Sequence, residues 1–289
     1  MLPKLQVVIT GASGFVARNV RKFLLENKVD VISISRKNFK KFENETRIVS
    51  KDYDEKAILP KIKNSNALIH LVGIGRQTVG NEYSTVNTEL TKKIIYFCQK
   101  AGIKKIVYNS GLGVSKYTTL GYFISKFNAE QLIINSNLDY TIFRPSYIVG
   151  KDDLLTKYLK SQIKRGTIQI PGSGRYTIQP IFIEDVSRII LKSVHDGGFS
   201  NQIIDLVGPE KISFERYVRK FLLRTGAKIK KIDLEIAYHH AITDPKTEFG
   251  VDDLNLLVGN FTGNHKKLET LSKIKFQSVL ELLKSGSLL

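Results

Sequence analysis

Residues Thr10-Gly11-Ala12-Ser13-Gly14-Phe15-Val16-Ala17 follow an apolar run and lead at once into a helical pattern, a junction that constrains the fold more than any other feature of the chain. Glycine permits a tight turn and leaves no Cβ in the way of an approaching group. A helix starting there offers unpaired N–H groups and the positive end of its dipole, which suits a diphosphate. The spacing is G-x-x-G-x-x-A, and the small Ala17 still allows close helix–strand packing. Strand, glycine turn and helix in this order point to dinucleotide binding. The alternative is a structural turn in which Ser13 caps the helix.

The pattern around this junction is repetitive. Short apolar runs at 6–10, 29–35, 47–49, 67–72, 105–109 and 140–143 read as strands, with helical segments at 14–26, 82–101 and 122–135 between several of them. Continuous Val/Ile/Leu strands separated by helices predict an α/β fold, a doubly wound parallel sheet of the Rossmann type covered on both faces. Beyond residue 150 the pattern loosens. A helix is expected at 153–165, then a Pro171-Gly172-Ser173-Gly174 turn, a strand-like piece at 177–183 and a helix from Glu184. A strand at 202–207 and a helix at 213–224 capped by Ser213 follow. This divides the chain into a dinucleotide-binding core, 1–150, and a smaller substrate or partner lobe, 151–289, packed against it, with some of its elements free to return to the sheet.

At the end of the second apolar run stand Ser35, Arg36 and Lys37. In a fold of this class that edge meets the adenosine ribose, where an acid accepts the 2′-hydroxyl of NAD and cations suit the 2′-phosphate of NADP. Asp30 lies at the wrong end of the run. NADP(H) is therefore favoured over NAD(H); the alternative is a solvated basic turn continuing into Lys40-Lys41.

Tyr122 and Lys126 form Y-x-x-x-K within a helical segment, so both side chains project from one face about a turn apart. A phenol titrates near 10, and a neighbouring ammonium would draw it towards useful acid–base chemistry. The bland reading is a core tyrosine beside a surface lysine.

The 289 residues carry 45 Lys and Arg against 27 Asp and Glu, a net charge of +18 spread along both parts. Such a balance fits a solvated face, an anionic cofactor, or an anionic membrane surface. Only 12 of the cations are Arg and Trp is absent, which argues against a nucleic-acid-reading surface. Cys98 cannot close an internal disulfide and sits in an apolar helical pattern, as in a reducing compartment. No apolar run approaches the ~18–20 residues of a membrane span, and Val7-Val8-Ile9 running straight into the glycine turn has no signal-peptide anatomy. A cytoplasmic protein, at most peripheral to a membrane, is expected.

Together these features resemble the short-chain dehydrogenase/reductase superfamily in its extended-to-atypical branch. The likeness covers most of the chain. After the glycine loop it runs through Asp52-Tyr53, His70-Leu71-Val72-Gly73, Asn87 in Val-Asn-Thr-Glu-Leu-Thr, the Tyr–Lys pair and Arg144-Pro145-Ser146-Tyr147-Ile148-Val149-Gly150. It continues in Gly174-Arg175, Gln179-Pro180-Ile181-Phe182-Ile183-Glu184-Asp185-Val186 and Val207-Gly208-Pro209-Glu210. Within that branch the chain is most similar to prokaryotic relatives of the nucleotide-binding accessory subunit of respiratory complex I, less specifically around Phe249-Gly250-Val251 and 260–282.

The resemblance implies that Gly11, Ser13, Gly14, Phe15 and Val16 line the diphosphate, with Asp52 and Tyr53 at the adenine edge. Leu71, Val72 and Gly73 would lie beside the cofactor, and Pro145, Ser146 and Ile148 near the nicotinamide. It also implies hydride transfer to a carbonyl or from a hydroxyl carbon of a small-molecule substrate, with Tyr122 as acid/base, Lys126 orienting the ribose and Ser110 polarising the carbonyl. One departure stands out: the family's Ser or Thr after the fifth strand aligns with Gly111, and Ser110 comes one residue early. Successive residues of an extended segment point oppositely. The alternative is therefore a redox-silent, nucleotide-binding structural or regulatory subunit with a protein partner. A sugar-nucleotide epimerase or dehydratase is disfavoured by the short interval from Ser110 to Tyr122. His70 is expected to be packed, Asn87 is balanced between structural and functional roles, and His239-His240 has no further ligand at metal spacing, so no metal is assigned.

Overall fold

The computed structural model describes residues 5–223, 225–244 and 250–288. Arg224 and Phe249, which fall in the segments read above, lie outside the described residues. In chain order the elements are β1 (Gln6–Thr10), α1 (Phe15–Glu26), β2 (Asp30–Ser35), β3 (Glu45–Val49), α2 (Glu55–Ile62), β4 (Ala67–His70), α3 (Leu90–Ala101), β5 (Lys105–Asn109), α4 (Gly121–Ile134) and β6 (Asp139–Pro145). Then come β7 (Ile148–Val149), α5 (Leu154–Lys164), β8 (Thr167–Pro171), β9 (Thr177–Ile178), β10 (Ile181–Phe182), α6 (Ile183–His195), β11 (Gln202–Leu206), β12 (Ile212–Ser213) and α7 (Phe214–Phe221). The described chain closes with β13 (Lys228–Ile232), α8 (Leu234–Thr243), α9 (Val251–Val258), α10 (His265–Ser272) and α11 (Val279–Ser285).

Seven parallel strands form the central sheet in the order β11-β6-β5-β4-β1-β2-β3. The doubly wound α/β expectation is met. Strands buried on both faces need apolar side chains at every position, and β1 and β4 supply them: Val7, Val8, Ile9, Ala67, Leu68 and Ile69 are all fully buried. One face is covered by α1 and α6, where Val20, Leu24, Val186, Ile189 and Ile190 pack on Val7, Ile9 and Ile69. The other is covered by α2, α3 and α4 through Ile58, Ile94, Phe97, Ala129 and Ile133. The chain runs outward from β1 to β3 and returns at β4, so the crevice between β1 and β4 is a topological switch point, where ligands of open α/β sheets bind.

A further apolar cluster joins α5, α7 and α11 through Leu159, Tyr217, Phe221 and Leu283. Around it lie three two-stranded pairings, β7 with β10, β8 with β13, and β9 with β12.

Several elements depart from the periodicity. The segment 82–101 is not one regular helix: Ser84–Glu89 forms a π-helical turn before α3. That wider turn lets the Asn87 side chain point inward and accept from the Ile74 amide at 3.0 Å. The piece at 177–183 is split into β9 and β10, because Pro180 has no N–H for a ladder. Ser213 caps α7 by accepting from the Arg216 amide, as its sequence position predicts.

Candidate active site

Six of the segments singled out in the sequence lie at the carboxyl edge of the sheet. Gly11–Gly14 follows β1, Ser35–Lys37 ends β2, Asp52-Tyr53 follows β3, Leu71–Gly73 follows β4, Ser110-Gly111 follows β5, and Pro145–Ile148 leads out of β6. Because neighbouring strands are parallel, these ends are about 4.8 Å apart per strand step and share one crevice.

The glycine turn is held from behind. Gly11 has φ +75°, and a Cβ there would stand 2.9 Å from the Leu71 carbonyl carbon and oxygen. Gly14 donates to the Gly11 carbonyl at 2.9 Å, and Ala12 donates to Ile34 of β2 at 3.1 Å. Gly14 is the N-cap of α1, with no side-chain cap hydrogen bond and no acidic residue in the first turn. Ser13 therefore does not serve as the cap. Its hydroxyl instead accepts from Ser35 at 3.1 Å, across the crevice. Phe15 and Val16 open α1 half-buried. Tyr53, buried and with φ +52°, is pushed up to about 12 by burial, partly offset by the Gly11 amide and the Arg36 charge. The Asp52 carbonyl accepts from Lys93 at 2.8 Å.

At the end of β2, Ser35 is buried and accepts from the Lys37 amide at 3.3 Å. Arg36 and Lys37 are exposed, and Arg36 donates to Asn81 at 3.3 Å. Asp30 begins β2 and pairs with Gln6, at the opposite edge.

Tyr122 and Lys126 lie on α4 as expected, but their geometry differs from a simple pair. The Tyr122 hydroxyl faces Gly111: a Cβ at 111 would stand 3.2 Å from Oη. Burial pushes this phenol up to about 12. The expected lowering by Lys126 is thus not seen in the protein alone. The Lys126 ammonium donates to the Asn109 carbonyl at 3.1 Å, and a Cβ at Gly73 would come within 2.7 Å of its Nζ. Burial pulls Lys126 down to about 8, against a smaller upward pull from Glu130. Ser110 is buried, and its hydroxyl has no hydrogen-bond partner among the described residues. Gly111, the residue aligned with the family's hydroxyl, faces the phenol.

Behind this pair His70 and Asn87 are satisfied, whereas the Tyr108 hydroxyl, stacked beside His70, has no hydrogen-bond partner among the described residues. His70 lies between Thr10 at 2.6 Å and Thr91 at 3.1 Å, and burial pulls it down to about 3, so it is neutral and packed. Asn87 donates to Ser125 at 3.0 Å as well as bracing Ile74. The Pro145–Ile148 segment is tied into the sheet end by Leu112 donating to the Pro145 carbonyl at 2.9 Å, Ser146 donating to Leu206 at 3.1 Å, and Ile148 pairing with Ile181. His239 and His240 are exposed on α8.

Sequence reasoning missed the tyrosine that abuts Tyr122. The Tyr83 ring meets it edge-on, centroids 5.8 Å apart, and its hydroxyl donates to Asp252 at 2.6 Å. Arg76 pairs with Asp253, and Phe261 packs edge-on against Phe123 at 5.1 Å. Tyr83 and Tyr122 lie 39 positions apart and the other partners 138 to 177, so no local pattern reveals them.

The residues fit a dinucleotide. The Gly11 turn sits where any side chain would collide with the backbone, the start of α1 keeps its N–H groups free of side-chain caps, and Gly73 leaves room beside Lys126.

The sequence model of a family described as NAD(P)H-binding matches residues 11–173. The mitochondrial NADH dehydrogenase [ubiquinone] 1 alpha subcomplex subunit 9 of Arabidopsis thaliana is 26% identical over 160 residues, 54% of this chain and 40% of that protein. The chain thus spans about two fifths of the length of that relative. A 3-beta-hydroxysteroid dehydrogenase of Mycolicibacterium neoaurum is 23% identical over 263 residues, covering 78% of this chain and 72% of the other. A short-chain dehydrogenase/reductase superfamily protein from Agrobacterium tumefaciens, solved with bound NAD, shares the fold at a TM-score of 0.75 and 14% identity, over 98% of this chain and 96% of that one.

Proposed function

The chain belongs to the NAD(P)H-binding family, and from that premise we propose an NADP(H)-dependent oxidoreductase acting between carbonyl and hydroxyl carbons, with Tyr122 as its acid/base. The bound nicotinamide supplies or accepts the hydride. The observation that carries this reading is the half-buried Tyr122, its hydroxyl facing the bare backbone of Gly111, with the Lys126 ammonium beside Gly73 a turn away. A phenol near 12 stays protonated at neutral pH, which suits it to give a proton to a carbonyl oxygen. Lys126, anchored on the Asn109 carbonyl, holds the ribose on the Gly73 side. Ser110, whose buried hydroxyl has no hydrogen-bond partner among the described residues, would polarise the carbonyl.

For the cofactor, Gly11, Ser13, Gly14, Phe15 and Val16 hold the diphosphate, Tyr53 and Asp52 the adenine, and Arg36 and Lys37 the 2′-phosphate. The NADP assignment rests on those two exposed cations and on Asp30 standing at the far edge. Leu71, Val72, Pro145, Ser146 and Ile148 flank the nicotinamide. Substrate enters between the 1–150 core and the 151–289 lobe, whose Asp252 and Phe261 reach Tyr83 and Phe123. A cytoplasmic setting goes with this reading.

The missing hydroxyl at Gly111 favours a second reading: a nucleotide-binding subunit docked on a protein partner or, given the +18 charge, on an anionic membrane surface. No helix among the described residues is long and apolar enough to cross a membrane. The relative from Arabidopsis, named as a complex subunit, supports it too. Pure protein mixed with NADPH and a panel of aldehydes and ketones separates the two. Oxidation above background that falls in Tyr122→Phe supports the enzyme; tight nucleotide binding with no turnover on any carbonyl supports the subunit.

A further inference from the structure

Arg21 is an anomaly of the sequence that the structure makes specific. It occupies a core position of α1, in line with Ala17, Val20 and Leu24, and is 1% exposed. A guanidinium there must satisfy its donors inside the protein. It does so against Glu45, the first residue of β3, in a bidentate contact of 2.5 and 2.7 Å. Of the three N–H groups that remain, two go to main-chain carbonyls. One goes to Ala12 in the glycine turn at 2.6 Å, and the other to Lys40 in the β2–β3 connection at 2.9 Å.

Glu45 works on the same connection from the other side. Its carboxylate accepts from the Phe42 amide at 2.8 Å and from the Ser33 hydroxyl. Burial alone would raise this carboxyl; the hydrogen bonds from Arg21, Ser33 and Phe42 outweigh it and hold it below its ordinary value. The rings of Phe39 and Phe42 close over the guanidinium, 4.5 and 5.0 Å from Cζ. One ion pair therefore fixes both the turn assigned to the diphosphate and the loop that begins with Arg36 and Lys37.

We infer that the buried Arg21–Glu45 pair is a positioning device for cofactor choice, setting the Arg36–Lys37 loop at a fixed distance from the glycine turn so that the diphosphate and the 2′-phosphate of NADPH are met together. The inference rests on the NADP reading above. The turn has supports of its own, Gly14 to Gly11 and Ala12 to Ile34. The loop is held by the pair at Lys40 and Phe42, where it lies nearest the guanidinium, and by Arg47, which donates to the Asn38 side chain at 2.9 Å and the Phe39 carbonyl at 3.0 Å. Loss of the pair should therefore cost 2′-phosphate recognition more than binding in general.

A buried ion pair can often be replaced by apolar residues without loss of fold, whereas removing one partner strands a charge. The test is thus the double variant Arg21→Met with Glu45→Leu, its dissociation constants for NADPH and NADH measured by titration calorimetry beside wild type and Arg36→Ala. The expected result is a wild-type preference for NADPH of about tenfold, retained by neither variant. NADH affinity in the double variant should stay within about threefold of wild type. A double variant that keeps the preference overturns the inference and leaves the NADP reading standing. Equal loss of affinity for both nucleotides overturns it too, because the pair would then serve the turn alone. A wild type without preference overturns both readings together. Should the double variant lack a cooperative melting transition, Arg21→Lys takes its place. One ammonium cannot span the carboxylate and both carbonyls, so the same loss of preference is expected, and retention of the preference rejects the inference.

Discussion

Gly111 faces the hydroxyl of Tyr122 so closely that a β-carbon at 111 would stand 3.2 Å from Oη and 3.3 Å from Cε1. The approach is tight, and the tyrosine must yield by a few tenths of an ångström to admit a side chain. Gly111 is not among the positive-φ glycines, so its backbone accepts other residues. Gly111→Ser should fold and place a hydroxyl against the phenol. If that missing group limits carbonyl reduction, NADPH oxidation should rise at least tenfold; an unchanged or lower rate would show that the reaction does not need it.

Tyr122→Phe keeps the ring and its edge contact with Tyr83 while removing the proton donor. Turnover should fall by ~10²–10⁴-fold, about 3–5 kcal/mol of barrier, with nucleotide affinity preserved. In wild type the phenol, near 12, should keep the reductive rate from falling through Tyr122 ionisation below pH 10. Intact activity in the variant, measured by NADPH absorbance, would remove Tyr122 from the mechanism.

NADPH should raise the melting temperature more than NADH at equal concentration. A tenfold difference in affinity corresponds to about 1.4 kcal/mol of added stability at saturation. Arg36→Ala should erase most of the difference and leave the NADH shift nearly unchanged if, as proposed, Arg36 meets the extra phosphate and not the diphosphate. Equal shifts in wild type would refute the assignment.

Burying the Lys126 ammonium carries a cost that depends on pH. Its folded pKa, about 8, lies below the ordinary 10.5. The unfolded chain therefore binds this proton more tightly, and between pH 8 and 10.5 stability gains as pH rises. Below pH 8 the penalty for burying the ammonium is fully present. Lys126→Met should accordingly stabilise the protein at pH 7 by about 1–2 kcal/mol after loss of the Asn109 hydrogen bond. The gain should shrink by pH 10, while nucleotide binding weakens at both. Urea denaturation at the two pH values checks this; a variant less stable than wild type at pH 7 contradicts it.

How much of this was legible in the sequence follows from the range of each interaction. The glycine turn, the apolar strands and the Ser213 cap are local events, decided by adjacent residues, and they stand where periodicity places them. The helix Glu55–Ile62 is only two turns long and contains Pro60, and it left no usable period. The short helices beyond residue 233 are likewise too brief for the apolar spacing to declare itself. Arg21 did leave a signal, a charge on the apolar stripe of α1, but its meaning lay in Glu45 on a different strand. The contact of Tyr83 with Asp252 joins residues 169 positions apart, and no spacing rule reaches that far.

The outer strand β11 has one more implication, for biosynthesis. It is parallel to β6, and α6, which precedes it, covers the same sheet face as α1. The half of the molecule that carries the glycine turn, the Tyr–Lys pair and five loops of the crevice is thus translated well before the strand and helix that finish its sheet. Until residue 206 has left the ribosome, β6 is an open edge and Val7, Ile9 and Ile69 lack their α6 cover. A nascent chain is exposed to misassociation throughout that interval, and fragments ending near residue 173 should be held by chaperones or aggregate rather than bind nucleotide.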